Sequence, residues 1–178
     1  MAARGVRWPA AVLIAALLFL SGCGRSGAPG DAAASPLRNG DVAPDFEMTD
    51  LGGDTVKLSA LDGRVRLLDF WATWCPPCRE EIPMLNELHR QYGEAGLSIL
   101  ALSDEDAAII QEFASETRMA YTNLVDASTV AERYGVLGLP TAFLVDREGK
   151  IVETFFGAKP RAALERQIRT LLGLEPAA

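Results

Sequence analysis

Apolar residues along the chain follow two patterns, and each pattern predicts a different kind of element. Short, nearly uninterrupted apolar runs and alternating segments indicate strands, whereas apolar residues spaced three and four apart indicate helices. The predicted strands span 45–48, 55–58, 65–71, 97–102, 121–125, 141–145 and 151–156. The predicted helices span 76–92, 105–117, 128–134 and 161–172.

The order of these elements predicts an α/β fold with a mixed central sheet flanked by helices. Strands and helices alternate over most of the region, which is typical of an α/β layer architecture. The segments on either side of 146–149 predict a hairpin, so at least one pair in the sheet is antiparallel. A second hairpin is predicted near the N-terminus, around the Gly-rich turn 51–54.

The first 22 residues have the features of a signal peptide. Arg4 and Arg7 precede an apolar run at 10–20, which is shorter than the roughly 20 residues that span a bilayer as a helix. The next residues, Leu20-Ser21-Gly22-Cys23, resemble the lipobox of bacterial lipoproteins, and this resemblance implies cleavage before Cys23 and acylation of its thiol. A signal peptide without lipid and an ordinary membrane anchor are the alternatives.

Residues 23–39 are rich in Gly, Ala, Ser and Pro and have no apolar periodicity, so we expect a flexible tether. The folded domain is expected at 40–176. The chain would then consist of a signal peptide, a lipid-bearing tether and one domain.

Composition and charge exclude several classes of protein. The chain has 178 residues, of which 49% are hydrophobic and 23% are charged, as in ordinary globular proteins. With 17 basic and 24 acidic residues the net charge is −7, which argues against a nucleic-acid partner. Three cysteines are too few for a disulfide scaffold, and a single histidine leaves little room for a metal site. We therefore expect no metal and no cofactor.

The candidate chemistry lies in Cys75-Pro76-Pro77-Cys78, directly after a predicted strand and at the start of a predicted helix. Side chains three apart are neighbours on a helix, so the two sulfurs can close a disulfide. The helix N-terminus also favours the thiolate of the first cysteine, the form that attacks disulfides. Prolines are tolerated in the first turn, where their missing N–H costs little.

Other uses of a Cys-x-x-Cys pair fit this sequence less well. A structural zinc site needs about four ligands, and only His89 and Cys23 remain to complete it. Covalent haem attachment requires a histidine after the second cysteine, where this chain has Arg79. A disulfide with a purely structural role remains an alternative.

Several motifs together resemble a known family. Trp74 followed by Cys-x-x-Cys after an apolar strand resembles the thioredoxin fold. The lead-in 43–46, the segment 69–75 and Gly138-Leu139-Pro140-Thr141 are similar to the membrane-anchored thioredoxin-like reductases of the TlpA/ResA type. The resemblance covers about residues 40–174. It implies an extracytoplasmic thiol-disulfide oxidoreductase that reduces protein disulfides, for example in cytochrome c maturation, and that is recharged by an integral membrane thiol-disulfide electron donor.

The resemblance also assigns roles to the two cysteines. Cys75 is expected to be the exposed nucleophile, which attacks a substrate disulfide and forms a mixed disulfide. Cys78 is expected to resolve that intermediate, releasing reduced substrate and oxidised enzyme.

Two acidic residues are candidates for proton transfer. Asp69 interrupts the apolar run 65–71, and a buried carboxyl without a partner has a raised pKa. Thioredoxins carry a buried aspartate at the matching position, and TlpA/ResA-type proteins use a glutamate at the position of Glu81, one helical turn after Cys78. Which of the two serves the resolving cysteine stays open, as does a purely structural role for either.

The family also places a cis-proline opposite the cysteines, and the matching residue here is Pro140. A cis bond would leave the backbone of Leu139 open for pairing with an extended substrate segment. The substrate-binding surface is expected to comprise Trp74, Pro76, Pro77 and Leu139.

Two other functions on the same fold are weaker alternatives. Copper-delivery relatives pair Cys-x-x-x-Cys with a later histidine, but no histidine follows His89. The lead-in Ala-Pro-Asp-Phe also opens the peroxiredoxin-like peroxidases. Their Pro-x-x-x-Thr-x-x-Cys pattern, however, has Asp69 and Pro76 at its first and last positions here.

Three further expectations concern side chains outside the redox motif. The acidic cluster 104–106 is expected to start the helix 105–117, where it would complement the helix dipole. Tyr121, Phe155 and Phe156 are expected in the core, and His89 is expected to be an ordinary helix residue.

Overall fold

The structure is a computed structural model that describes residues 37–174. The predicted signal peptide 1–22, Cys23 and the tether up to residue 36 lie outside the described residues, as do the last two positions of the predicted domain. The strands are β1 (Glu47–Thr49), β2 (Thr55–Lys57), β3 (Val65–Phe70), β4 (Leu97–Leu102), β5 (Thr122–Leu124), β6 (Thr141–Val145) and β7 (Ile151–Phe156). The helices are α1 (Pro76–Tyr92), α2 (Ala107–Thr117), α3 (Ser128–Tyr134) and α4 (Arg161–Leu172), with a 3-10 turn at Leu58–Leu61.

The central sheet has five strands in the order β5-β4-β3-β6-β7. β3 pairs with β4, and β4 with β5, in parallel, whereas β6 is antiparallel to both β3 and β7. The prediction of a mixed sheet is therefore confirmed. β1 and β2 form a separate antiparallel pair, as predicted for the N-terminal hairpin.

Strand β3 runs through the centre of the protein, and all six of its residues are buried. Leu67 belongs to the apolar cluster that α1 and α4 cover, whereas Leu68 and Phe70 belong to the cluster on the opposite face. This two-sided burial explains why the segment is mostly apolar rather than alternating between apolar and polar residues. It also places Asp69, the one acidic residue of the strand, inside the protein on the α1 side.

Two expectations from the sequence need correction. Helix α2 begins at Ala107 rather than at residue 105, because the carboxylate of Asp106 accepts a hydrogen bond from the Ala108 N–H and caps the helix. Phe156 is not in the core: it is 79% exposed, since it is the last residue of the edge strand β7. Tyr121 is buried as predicted.

Between residues 37 and 174, no helix is both long enough and apolar enough to cross a membrane.

Candidate functional site

The two cysteines lie where β3 gives way to α1. Trp71 donates a backbone hydrogen bond to Leu102 and so extends the pairing one residue past the end of β3, after which the chain turns. Cys75 is the N-cap residue of α1, and its Sγ accepts a hydrogen bond from the Cys78 N–H at 3.3 Å. Cys75 and Cys78 form a disulfide, with their Cα atoms 5.3 Å apart.

Pro76 and Pro77 occupy the first two positions of α1. Neither proline has an N–H, so the nearest donor to the Cys75 sulfur on the helix is the N–H of Cys78. The local sequence therefore accounts for both the helix start and the position of the disulfide. The two prolines lie next to the disulfide and not in the groove described below.

Cys75 was expected to be exposed, and this expectation is wrong for the disulfide form. Cys75 is 3% exposed and Cys78 is 4% exposed. The reason is that the disulfide and the Cys78 N–H hold the Cys75 sulfur against the first turn of α1. Both neighbours of Cys75 are exposed: Trp74 has 68% of its surface accessible, and Pro76 is also classed as exposed. A partner therefore contacts exposed side chains on either side of the buried sulfur.

The peptide bond between Leu139 and Pro140 is cis, as the family resemblance implied. The Pro140 carbonyl accepts a hydrogen bond from the Gly157 N–H at 2.8 Å, which ties the loop to the end of β7. Leu139 is partly buried, and Leu137 two residues earlier is 99% exposed.

A groove of about 240 Å³ separates the 137–139 segment from Trp74. Its lining is largely apolar and includes Phe70 and Leu102, with Asp104 as the one acidic residue. Trp74 and Leu139, predicted from the sequence as substrate-binding residues, are thus brought together on one groove. Leu137 was not predicted, because an isolated leucine in a loop carries no periodic signal.

Asp69 and Glu81 are brought together by a third residue, Lys159. The Lys159 ammonium lies 2.8 Å from Asp69 Oδ1 and 2.6 Å from Glu81 Oε2. The Lys159 backbone N–H also donates to Glu81 Oε1. All three side chains are buried, and that of Lys159 is completely inaccessible.

Burial sets the protonation behaviour of this cluster. It raises the pKa of the Asp69 carboxyl, an effect that the neighbouring Glu81 reinforces and that Lys159 opposes only in part. Burial alone would lower the pKa of the Lys159 ammonium, but the two carboxyl groups outweigh it and the net shift is upward. Lys159 therefore stays charged at neutral pH. The prediction that Asp69 would have a raised pKa unless paired needs refinement, since Asp69 is paired and its pKa is still raised.

Lys159 was missed by the reasoning from sequence. It lies 90 residues after Asp69, in the loop between β7 and α4, so no local spacing connects the two. The only available signal was indirect. A buried carboxylate is stable only when it is paired, and the chain has just three lysines that could pair with it as an ammonium.

Glu105 was also missed, because the sequence suggested that it belonged to the first turn of α2. Its carboxylate instead accepts hydrogen bonds from the Thr73 N–H and the Thr73 Oγ1, both at 2.6 Å, and from Ser103 Oγ at 3.2 Å. Glu105 thereby anchors the loop that carries Trp74 and leads to Cys75.

Replacing Glu105 with Gln should loosen this loop. We expect a loss of about 1–3 kcal/mol in the free energy of unfolding, because hydrogen bonds to a charged acceptor are replaced by weaker ones. Urea denaturation of the oxidised protein would measure it. Glu112→Gln, at an exposed position on α2, is the matched control. Equal stability of the two variants would contradict the anchoring role.

Comparison with known proteins agrees with this geometry. Residues 39–154 match the model of the AhpC/TSA family. Thiol-disulfide oxidoreductase ResA of Bacillus thuringiensis (strain Al Hakam) is 37% identical over 137 residues, which cover 76% of this chain and 79% of that protein. The chain belongs to the ResA-type thiol-disulfide oxidoreductases.

Solved structures confirm the thioredoxin-like fold of this oxidoreductase. A Chlorobium tepidum protein assigned as the thiol:disulfide interchange protein DsbE superimposes with a TM-score of 0.73 at 37% identity, covering 77% of this chain and 99% of that one. A Bacteroides thetaiotaomicron protein assigned as a protein disulfide isomerase gives a TM-score of 0.71 at 32% identity, covering 77% and 91%. The predicted enzyme class, thiol-disulfide oxidoreductase, is thus confirmed.

Proposed function

We propose that this oxidoreductase reduces protein disulfides in an extracytoplasmic compartment through Cys75 and Cys78. The observation that carries the proposal is the Cys75–Cys78 disulfide at the N-terminus of α1, beside an apolar groove bounded by the segment that contains cis-Pro140. In the reduced form, the Cys78 N–H and the partial positive charge of the helix N-terminus favour the thiolate of Cys75.

The exchange proceeds in two steps. The Cys75 thiolate attacks one sulfur of the substrate disulfide, forming a mixed disulfide and releasing the other substrate sulfur as a thiolate. Cys78 then loses its proton and attacks Cys75, so that the Cys75–Cys78 bond forms and the second substrate thiolate leaves. Substrate gains two electrons and the enzyme loses two.

Asp69 and Glu81 are the proposed proton acceptors for Cys78. Glu81 lies one helical turn after Cys78, and Asp69 lies on the face of β3 that α1 covers. Burial raises the pKa of the Asp69 carboxyl, which makes Asp69 a stronger proton acceptor than an exposed aspartate.

The substrate class follows from the groove. Trp74 and Leu137 expose large apolar side chains on its two sides, and the Leu139 backbone borders it. An extended segment with an apolar side chain next to its cysteine would pair with the Leu139 backbone and bury that side chain in the groove. The proposed substrates include apocytochrome c, whose haem-binding cysteines must be reduced.

The proposal includes a lipid anchor and an electron donor. The lipobox-like segment 20–23 supports acylation of Cys23, and several buried acyl methylene groups contribute enough free energy to hold a protein at a membrane. A protein that gives electrons to substrates in an oxidising compartment must be reduced again. An integral membrane thiol-disulfide donor would meet it at the same surface.

A Cys78→Ser variant tests the chemistry and the substrate class together. Without the resolving thiol, the mixed disulfide at Cys75 should persist and be seen by mass spectrometry. We expect a disulfide peptide with Leu beside its cysteine to react about tenfold faster than one with Ser there, because burying an apolar side chain contributes about 1.5 kcal/mol. The Cys75→Ser/Cys78→Ser double variant is the control. An adduct in that control, or none at Cys75, would contradict the proposal.

A further inference from the structure

Lys159 carries a buried charge that neither step of the disulfide exchange uses directly. Its side chain has no accessible surface, and its ammonium bridges a carboxylate on β3 and one on α1. Its own N–H fixes the second oxygen of Glu81. A lysine held by three hydrogen bonds in the interior requires a reason, because burying a cation is costly.

The surroundings of this cluster hold few other titratable groups. Asp69 lies between Ala101 on β4 and Ala142 on β6, so the neighbouring strands contribute no charge at this level. Tyr121, just before β5, is a further titratable side chain near the cluster, since both Asp69 and Glu81 act on its hydroxyl. Its hydroxyl is buried, has no hydrogen-bond partner within residues 37–174, and has a pKa raised by burial, so it stays neutral.

The charge balance of the cluster depends on the lysine. Two carboxylates buried side by side repel each other and are desolvated, so without a cation both would bind protons. A protonated carboxyl cannot accept the proton that Cys78 must lose. One ammonium between them offsets one negative charge and allows one carboxylate to remain ionised.

We propose that Lys159 is a positioning residue for proton transfer, which holds Asp69 and Glu81 on one cation and keeps a carboxylate of this pair ionised to accept the Cys78 proton. The inference rests on the proposed function. In the resolving step the proton passes from the Cys78 thiol to that carboxylate. The Cys78 sulfur then bonds to Cys75, and the bond between Cys75 and the substrate sulfur breaks, its electron pair leaving with the substrate.

The test uses variants that contain the same number of buried carboxyl groups. In Glu81→Gln, Asp69 is paired with Lys159. In Glu81→Gln/Lys159→Met it is alone. Because Lys159 opposes the upward pKa shift of Asp69, titration of the ¹³C-labelled Asp69 carboxyl by NMR should show a midpoint higher by at least about one pH unit in the double variant. An unchanged midpoint overturns the role of Lys159.

The same variants can be compared by the rate at which they release a bound peptide. The mixed disulfide between Cys75 and a disulfide peptide is prepared at low pH, and peptide release is followed after a jump in pH. The pH at which the release rate is half-maximal should be higher by the same amount in the double variant. For each pH unit of this shift, release at a fixed pH should be about tenfold slower. Glu81→Gln/Lys159→Arg should restore the profile, and Glu81→Gln/Lys150→Met, altered at an exposed lysine, should not move it.

A measurement on the unaltered protein covers the case in which the double variant does not fold. The ¹⁵N signal of the Lys159 ammonium should report a charged group from pH 4 to 9. Its chemical shift should change over the pH range in which the neighbouring carboxyl groups titrate. Loss of that charge below pH 8 overturns the inference. Failure of Cys75 to form any peptide adduct would instead overturn the proposed function, and the NMR titrations would still decide the role of Lys159.

Discussion

Cys75→Ser should lower the reduction of insulin disulfides to the rate seen with the dithiol reductant alone. A serine hydroxyl stays protonated at neutral pH and forms no disulfide, so the first bond exchange has no nucleophile. Because Cys75 is the N-cap of α1 and Ser is a favourable N-cap residue, the helix start should survive the change. The loss would therefore report chemistry rather than unfolding.

The comparison with Cys78→Ser makes this prediction specific. That variant retains the attacking sulfur and should consume about one equivalent of disulfide as a stable adduct, whereas Cys75→Ser should consume none. Insulin precipitation measures turnover, and mass spectrometry measures the adduct. Turnover by Cys75→Ser at the rate of the unaltered protein would show that the disulfide at α1 has only a structural role.

Lys159→Met should destabilise the oxidised protein by about 3–5 kcal/mol at pH 7, because removal of one partner leaves buried carboxylates without a counterion. The methionine side chain is of similar length and apolar, so little packing is lost. Urea denaturation gives the free energy of unfolding, and Lys150→Met at an exposed position is the control. A loss below about 1 kcal/mol, the range of surface ion pairs, would contradict the prediction.

The pH dependence of that loss has a defined sign. The folded-state pKa of Asp69 already lies above its ordinary value, so its carboxyl binds a proton more tightly in the folded than in the unfolded state. The stability this contributes is fully present below the unfolded-state pKa and is lost as the pH rises through the folded-state pKa. Without Lys159 the folded-state pKa rises further, so the variant should lose stability more steeply with rising pH. The difference between the two proteins should then shrink towards pH 4.

Residues close in sequence defined the reactive centre. A Cys-x-x-Cys pair at the junction of an apolar run and a helix-spaced segment predicted where the disulfide forms, and the two prolines predicted the helix start. Most element bounds agreed with the structure to within two residues, because apolar periodicity reports directly which positions are covered. The cis geometry at Pro140 came from the family resemblance, since composition and periodicity carry no signal for it.

Contacts between distant segments could not be predicted in the same way. Glu105 meets Thr73 across 32 residues, and Lys159 meets Asp69 across 90, so only the packing of β3 between its neighbours brings each pair together. The exposure of Phe156 depends on β7 being the edge strand of the sheet.

The sequence by itself thus determined the elements, the position of the dithiol and the presence of a carboxyl in a buried strand, because these depend on neighbours within one turn or one strand. Only the tertiary structure decided that Asp69 and Glu81 share the ammonium of Lys159. A buried charge is neutralised by the group that the fold places beside it, and here that group comes from the loop between β7 and α4, 90 residues after Asp69 in the sequence.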